Sequence, residues 1–428
     1  MGALRSLVRR MPPPVFTAFA GTAAFCAYFS MYAFRKPFAA ANYLLPGWPY
    51  EIDYKSALLT AQVLGYALSK LIGIRVIAEI GRHGRAQAIV GLIALAWAAL
   101  LMLALVPAPW SIACLFVNGL PLGMIWGLVF SYLEGRRTSE MLGAMLCASF
   151  ILSSGAVKSA AVLMMQAGMT ETWMPAATGA LFFPLLIASV IALEALPPPD
   201  AADEAERTVR VPMLKADRVA FLRDHGLAMM LLVLGYVLLT AIRDFRDNFA
   251  AEIWAGLGYR DVAAMFSASE LPVAAIALVA LGSLMAVRNN MRALLAMHMV
   301  IIGGAALLGL STLAFQAGLL PPLTWMILTG AGLYLAYTPF NAMLFDRMVA
   351  AIGRAGNAGF LIYIADASGY LGSVALLLYR SLAAPGSDWL GFYIHWAYVT
   401  AVIVTLLTFA SAVYFIQRER PRAAALSA

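Results

Sequence analysis

The sequence is poor in charged residues, which make up only 12% of its 428 positions. Soluble domains carry about a quarter charged residues, so this composition excludes an ordinary water-soluble fold. Instead, 63% of the residues are hydrophobic, the mean hydropathy is +0.83, and long apolar windows recur along the whole length. Such windows are typical of transmembrane helices, because lipid offers backbone polar groups no partner outside a helix. The composition therefore predicts an all-α membrane protein.

Cysteine and histidine are also scarce. The three cysteines, Cys26, Cys114 and Cys147, lie within apolar segments, where small buried thiols are expected and a disulfide framework is not. The four histidines have no metal-ligand spacing, and the sequence contains no Ser/His/Asp or paired-carboxylate motif. We therefore predict no metal, no other cofactor and no enzymatic activity. The net charge of +7 comes from basic loops and indicates no nucleic-acid partner.

Hydropathy and helix-breaking residues together divide the chain into twelve predicted transmembrane helices. They lie near residues 15–44, 56–78, 87–106, 110–133, 141–166, 173–195, 226–252, 261–286, 293–315, 322–345, 356–379 and 390–416. Most connections are short, but residues 197–225 are led by prolines, charged and free of long apolar runs. We therefore predict two six-helix halves, 1–196 and 226–428, joined by a cytoplasmic linker at 197–225.

Lysine and arginine are distributed unevenly over the two sides of the membrane. With the N-terminus inside, 19 of the 29 lie on the cytoplasmic side and three on the far side. Because cytoplasmic loops carry the excess of positive charge, both termini are predicted to lie inside the cell, with the chain in the inner membrane. Two six-helix halves with inside termini match the parallel, pseudo-symmetric repeat of the major facilitator fold.

Ten charged residues lie within the predicted helices, away from their ends. The cations are Arg35, Lys36, Lys70, Lys158, Arg243 and Arg246, and the anions are Asp244, Asp247, Glu270 and Asp366. Each charge at this depth costs at least ~2.5 kcal/mol and usually faces a cavity or a partner. The excess of two positive charges therefore predicts that an anionic ligand completes the set.

Two of these cations occupy corresponding places in the two halves. Arg243 in "YVLLTAIRDFRDNF" lies about as deep in its helix as Arg35 in "YFSMYAFRKPF". A planar guanidinium binds phosphate or carboxylate through two parallel hydrogen bonds. We therefore predict that the two arginines form an anion clamp.

Most of the remaining charges are predicted to pair across the two halves. The expected neighbours give three pairs: Lys36 with Asp247, Lys158 with Glu270, and Lys70 with Asp366. Pairs of this kind can break and reform as the halves move. Arg246 and Asp244 lie late in the seventh helix, where structural pairing or a position near the interface is the better interpretation.

The segments "FRKPF" and "LLTAIRDFRDN" resemble the first and seventh helices of the organophosphate:phosphate antiporters, the glycerol-phosphate and hexose-phosphate transporter branch. The resemblance implies that Arg35 and Arg243 hold a phosphoryl group, with Lys36 as the lysine that follows the first arginine. Through "YALSKL", "SELP", "LYLAYTPFNAML" and "SGYLGSVALLL" it also implies places near the pathway for Tyr66, Lys70, Glu270, Tyr337 and Tyr370. The fifth-helix histidine of that family is absent and Asp366 has no clear counterpart, so the named substrates do not carry over.

The sequence thus predicts a secondary transporter of a small organic anion, a phosphorylated metabolite, that works by alternating access as an anion exchanger. Inorganic phosphate or protons are the expected counter-substrates, with Glu270 or Asp366 as the proton sites in the second case. The alternatives are a proton-coupled symporter of a non-phosphorylated solute and a transport-inactive membrane sensor of an anion. We expect a monomer in the lipid bilayer.

Overall fold

The computed structural model describes residues 2–81, 84–199, 203, 215–259, 261–352, 358–384, 386 and 388–427. Within these ranges all regular secondary structure is helical. Twelve long helical segments of the described chain follow one another in the order predicted, and nine of the described helices are long and apolar enough to cross a membrane. The prediction of an all-α, multi-pass membrane protein is confirmed.

The N-terminal half contains eight helices in the described ranges. They are α1 (Gly2–Arg9), α2 (Pro13–Tyr32), α3 (Tyr54–Glu79), α4 (Arg85–Leu105), α5 (Ser111–Leu122), α6 (Ile125–Phe130), α7 (Ser139–Gln166) and α8 (Met174–Glu194). A 3-10 segment, Pro37–Ala40, follows α2, and the fourth predicted span is divided into α5 and α6 just after Pro121. Proline has no N–H to donate, which favours an interruption of the helix at that point.

The C-terminal half likewise contains eight helices in the described ranges. They are α9 (Lys215–Asn248), α10 (Ala250–Gly256), α11 (Ala263–Met285), α12 (Asn290–Gln316), α13 (Pro322–Ala342), α14 (Leu344–Ile352), α15 (Ala358–Leu382) and α16 (Trp389–Ser427). Since α9 begins at Lys215, the end of the predicted linker is helical, whereas 200–202 and 204–214 lie outside the described residues.

The contacts between helices follow the same pattern in both halves. α2 packs on α7 and α8, as α9 packs on α15 and α16, while α3 and α4 pack on α5, as α11 and α12 pack on α13. The halves meet where α3 packs on α15 and where α7 packs on α11. One two-fold relation exchanges these two contacts, so the bundle has the pseudo-symmetry predicted from twelve spans. An even number of spans puts both termini on one side, called here the terminal side.

Glycine permits two of these helix contacts. A Cβ on Gly155 of α7 would lie 2.5 Å from the carbonyl oxygen of Phe266 on α11, and a Cβ on Gly119 of α5 would lie 2.1 Å from that of Gln62 on α3. Neither helix pair could approach so closely with a larger residue. The first contact joins the halves, and the second brings Gln62 beside the central charges.

Candidate functional site

Arg35 lies in the middle of the bundle, where α2 has just ended. Its side chain is buried, with 3% of the residue exposed, and its guanidinium carbon lies 3.8 Å from the ring centroid of Tyr66 and 5.7 Å from that of Tyr370. No described carboxylate forms an ion pair with Arg35, and its buried Nε has no hydrogen-bond partner among the described residues. Arg35 is therefore a buried cation that the described side chains do not neutralise.

Two amide side chains hold the backbone that carries Arg35. Pro37 interrupts the hydrogen-bond ladder after α2, which leaves carbonyl groups without helical partners. Gln62 Nε2 donates to the Arg35 carbonyl at 3.1 Å, and Asn118 Nδ2 donates to the Phe34 carbonyl at 3.0 Å. Gln62 Nε2 also donates to Asn118 Oδ1 at 2.7 Å. The two amides therefore act as one unit that fixes the bend of the chain between the end of α2 and Pro37.

Arg243, the corresponding cation of the second half, lies within the uninterrupted helix α9. Its guanidinium carbon lies 4.0 Å from the ring centroid of Tyr337, and its Nη2 donates to Asp244 Oδ1 at 2.8 Å. Ser373 on α15 donates to the other oxygen of Asp244 at 2.9 Å. Both predicted clamp arginines thus stack on tyrosine rings, but among the described residues Arg243 has a carboxylate partner and Arg35 has none.

A small cavity lies between the halves at this level, with a volume of about 20 Å³. That volume corresponds to roughly one water molecule. The cavity is lined by Tyr28, Tyr32, Tyr66, Lys70, Trp126, Phe150, Arg243, Tyr337, Asn341, Asp366 and Tyr370. Arg243 contributes to this lining directly, while Arg35 stacks on the rings of Tyr66 and Tyr370. The cavity therefore brings together five of the six predicted substrate residues, and the sixth lies against it.

Lys70 on α3 and Asp366 on α15 form the inter-half pair that the sequence predicts, with Nζ 3.1 Å from Oδ2. The hydroxyl of Tyr236 donates to the other oxygen of Asp366, and it lies 2.9 Å from the hydroxyl of Tyr337. The rings of Tyr236 and Tyr337 stack with centroids 5.1 Å apart. A continuous chain of polar contacts thus runs from Lys70 to the ring beneath Arg243.

Asp247 is shared by two lysines from the other half. Lys36 Nζ lies 2.5 Å from its Oδ2, and Lys158 Nζ lies 2.6 Å from its Oδ1. Ser154 also donates to Asp247, and Lys36 donates to Asn248 Oδ1 at 2.7 Å. The predicted pair of Lys36 with Asp247 is present in the structure.

The predicted pair of Lys158 with Glu270 is wrong. Glu270 Oε1 instead lies 2.7 Å from Arg246 Nη1, within the C-terminal half, and Arg246 also donates to the Met326 carbonyl at 2.9 Å. Neighbouring residues of a helix point ~100° apart, so Arg246 faces α11 while Asp247 faces the other half. Lys158 reaches past the ring of Phe266, 5.2 Å away, to Asp247.

The ion pairs locate the two excess positive charges of the bundle interior. Three of the four carboxylates, Asp244, Glu270 and Asp366, each pair with one described cation. The fourth, Asp247, pairs with two lysines, and Arg35 pairs with none of the described carboxylates. One excess charge therefore lies at Arg35 and the other at the cluster of Lys36, Asp247 and Lys158.

Sequence reasoning missed two residues that hold the site. Tyr236 lies seven residues before Arg243 on α9, a spacing that puts both on the same face of the helix. Gln62 lies four residues before Tyr66 on α3, so it also shares a face with a predicted site residue. A search for polar residues at these spacings from the predicted site residues Arg243 and Tyr66 would have found both.

A family model described as "Family of unknown function (DUF5690)" matches residues 37–418. No curated protein matches the chain in sequence. Among solved structures, the chain is similar to a D-xylose-proton symporter, with a TM-score of 0.58, 15% identity and coverage of 94% of this chain and 96% of the other. It is also similar to the POT family transporter PepTSo, with a TM-score of 0.59, 14% identity and coverage of 96% and 99%.

A third similar structure is that of the nucleoside transporter NupG, with a TM-score of 0.60, 14% identity and coverage of 93% of this chain and 98% of the other. At identities this low the similarity concerns the fold. All three neighbours have the major facilitator fold, and so does this chain. The predicted fold class is confirmed.

Proposed function

The chain belongs to the DUF5690 family, a family of unknown function, and we propose that it is a secondary transporter of a small organic anion. The anion is a phosphorylated metabolite or a molecule of similar size and charge. It binds between the halves, at Arg35 and Arg243, and the halves then rock about it so that the site opens to one side at a time. Transport runs as an exchange of anions, with inorganic phosphate as the expected counter-substrate.

The observation that carries this proposal is the uncompensated charge of Arg35. A guanidinium keeps its proton at any physiological pH, so burial cannot neutralise it as it can neutralise a lysine. Leaving such a charge buried without a partner costs several kcal/mol. A ligand carboxylate or phosphate at Arg35 removes that cost, which is a direct physical reason for the site to prefer anions.

The surroundings of Arg35 favour an anion that also has a carbon skeleton. The five N–H groups of a guanidinium point outward in its plane, so stacking on Tyr66 does not use them. Tyrosine hydroxyls around the cavity can donate to ligand oxygens, and the rings offer apolar surface to carbon atoms. The structural neighbours include a sugar symporter and a nucleoside transporter, whose described ligands are small organic molecules, which supports transport of a small solute.

Ion pairs at both ends of the bundle support alternating access. On the side away from the termini, Lys55 pairs with Glu252, and Arg380 Nη1 lies 3.6 Å from Asp53 Oδ2. On the terminal side, Arg347 Nη2 lies 3.0 Å from Glu140 Oε1. Each of these pairs joins residues of the two halves, so transport requires them to open and close in turn.

A ligand screen tests the proposal. We expect an organic phosphate or a carboxylate to raise the unfolding temperature of the purified protein, because a ligand that binds the native state stabilises it. The hit should be exchanged across proteoliposomes loaded with the same compound. Arg35→Gln should abolish both effects, whereas Arg5→Gln, a change at an exposed arginine paired with Glu194, should alter neither. Equal ligand stabilisation of wild type and Arg35→Gln would rule out Arg35 as the anion site.

Proton-coupled symport of a non-phosphorylated solute is the second candidate function. The pair of Lys70 and Asp366 favours it, because an intramembrane carboxylate at the boundary between the halves is a natural proton site. Asp366→Asn distinguishes the two functions. Anion exchange without a pH gradient should persist in this variant, whereas symport driven by protons should be lost. Loss of both activities with an unchanged unfolding temperature would assign Asp366 to ligand binding instead.

A further inference from the structure

The cluster of Lys36, Asp247 and Lys158 is buried. It contains two ammonium groups and one carboxylate, so one positive charge has no negative partner within it. The side chains of both lysines are 3% exposed and that of Asp247 is 12% exposed. Each lysine lies within 2.6 Å of a different carboxylate oxygen, so both are fully engaged with Asp247. Neither lysine forms an ion pair with any other described carboxylate. The cluster also crosses the boundary between the halves, since Asp247 belongs to α9 and Lys158 to α7.

The groups around the cluster in the described part of the chain do not supply the missing negative charge. The charged and titratable neighbours from the adjoining elements are Tyr32, Arg35, Arg243, Asp244, Arg246, Glu270 and Tyr334. Asp244 and Glu270 are already paired with Arg243 and Arg246. The two tyrosines are neutral near pH 7, and Arg35 adds a further positive charge. The net charge of the cluster and its neighbours is therefore positive, which favours the loss of a proton from the cluster or the binding of an anion.

The two excess charges of the bundle can be relieved in different ways. Arginine keeps its proton in proteins, so the charge of Arg35 can be met only by an anion. Lysine, in contrast, becomes neutral readily when it is buried without enough opposite charge. One carboxylate can balance one ammonium group, which leaves the second lysine of the cluster as the group that can give up its proton. The chemistry of the two side chains thus separates an anion site at Arg35 from a proton site at the lysine cluster.

We propose that the cluster of Lys36, Asp247 and Lys158 binds the proton that accompanies the anion. One of the two lysines is neutral while no anion is bound, and it accepts a proton from water on its Nζ lone pair when an anion binds at Arg35. The negative charge of the ligand then balances the new ammonium group. This inference rests on the proposed function for its driving force, but the protonation state of the cluster without ligand is a property of the protein alone.

The consequence for transport is that each anion moves together with a proton bound at the lysine cluster. When two anions are exchanged, one proton moves with each of them in opposite directions, so no net proton transport results. When anions are taken up without exchange, each brings a proton, and the rate of uptake depends on pH. In this cycle the proton site is the pair of lysines that shares one aspartate, whereas a proton on Asp366 or Glu270 belongs to the alternative symport of a non-phosphorylated solute. Both of these carboxylates have their own cation in the structure.

The first test needs no ligand and compares the pH dependence of stability in wild type and Lys158→Met. If one lysine is neutral in the native state and protonated in the unfolded chain, the native state holds one proton fewer. Stability then rises with pH up to the ordinary lysine pKa of about 10.4, and the unfolding equilibrium constant falls by at most tenfold per pH unit in that range. Lys158→Met keeps the pair of Lys36 with Asp247, so it should fold and lack this dependence.

Thr312→Val is the control for this test, because it removes a buried hydroxyl and no charge. This control should be less stable than wild type but keep the wild-type dependence on pH. Lys36→Met should behave like Lys158→Met, since it also leaves Asp247 with one lysine. An identical pH dependence in wild type, Lys36→Met and Lys158→Met would overturn the proposal, because both lysines would then be charged in the native state.

The second test counts protons on ligand binding, with sulfate as a tetrahedral anion that does not titrate near pH 7. Calorimetric titrations in two buffers of different ionisation enthalpy should show about one proton taken up per sulfate bound by wild type and none by Lys158→Met. Sulfate binding without proton uptake would overturn the lysine proposal and leave the proposed anion site intact. A wild type that binds no sulfate would count against the anion site, and the stability comparison would then decide the cluster alone.

Discussion

Arg35 lies over the ring of Tyr66, with its guanidinium carbon 3.8 Å from the ring centroid. A cation–π contact of this kind contributes ~1–2 kcal/mol when it is shielded from water, which is less than the cost of leaving a charge buried without a partner. The ring therefore orients the guanidinium but does not neutralise it. The geometry is that of a cation held in place for a second, negatively charged partner.

Replacing Arg35 or Arg243 by lysine should weaken anion binding steeply. Each change keeps the charge but removes the planar fork that forms two parallel hydrogen bonds. Loss of one charge-assisted contact costs roughly 1.5–3 kcal/mol, which corresponds to about a tenfold to a hundredfold rise in Kd. Titration of the purified variants with the anion found by the thermal screen measures this directly. Wild-type affinity in both variants would make the arginine pair purely structural.

Gln62→Met should reduce anion affinity although Gln62 does not line the central cavity. The change removes the donor to the Arg35 carbonyl and to Asn118, which frees the bend that fixes Arg35. Stability should fall by ~1–3 kcal/mol from the unpaired buried groups. Thr312→Val, which removes a buried hydroxyl of α12, is the control, since it should cost stability at no loss of affinity. Equal effects of the two variants on Kd would contradict a positioning role for Gln62.

The pair of Lys55 and Glu252 should show energetic coupling between the halves. Lys55 is 3% exposed, and it also donates to the Ala39 carbonyl at 3.0 Å. In a double-mutant cycle with Lys55→Met and Glu252→Gln, we expect a coupling energy of about 1–3 kcal/mol. The exposed pair of Arg5 and Glu194 is the matched control, for which ~0.2–1 kcal/mol is expected. A coupling no larger than that of the control would exclude this pair as a closure between the halves.

Both termini should face the cytoplasm of the cell. The uneven distribution of lysine and arginine is the physical basis, because basic loops are retained on that side. A reporter fused after Ala428 that is active only outside the inner membrane should therefore give no signal, while a cytoplasmic reporter at the same place should be active. The reverse pattern would invert the orientation and place the terminal side, with its pair of Arg347 and Glu140, outside the inner membrane.

The fold follows from the sequence because its determinants are local. Apolar length, prolines and basic loops indicate where the membrane-spanning helices lie, and twelve helices with an internal repeat leave little choice of arrangement. The pair of Lys36 and Asp247 was predictable for a related reason. The two residues come directly after Arg35 and shortly after Arg243, so the repeat itself brings them near each other.

The partner of Lys158 was not predictable in this way. Whether a lysine on α7 reaches a carboxylate on α11 or on α9 depends on side-chain directions that differ by ~100° between neighbouring positions. The close contact of α7 with α11 at Gly155 determines how these helices face each other, and a hydropathy profile does not show such a contact. Gln62 was missed for a different reason, since one of its partners is the Arg35 carbonyl, which is free to accept only because the helix ends before Pro37.

The unequal settings of Arg35 and Arg243 have a consequence for the orientation of a ligand. Arg243 lies within a regular helix beside its own carboxylate, whereas Arg35 follows a bend and lacks one among the described residues. The helices of the two halves are therefore arranged alike, but the net charge at the two arginines is different. A molecule with one acidic end and one neutral end gains more by turning its acidic end to the N-terminal half, so it should lie across the bundle in the same orientation in every cycle.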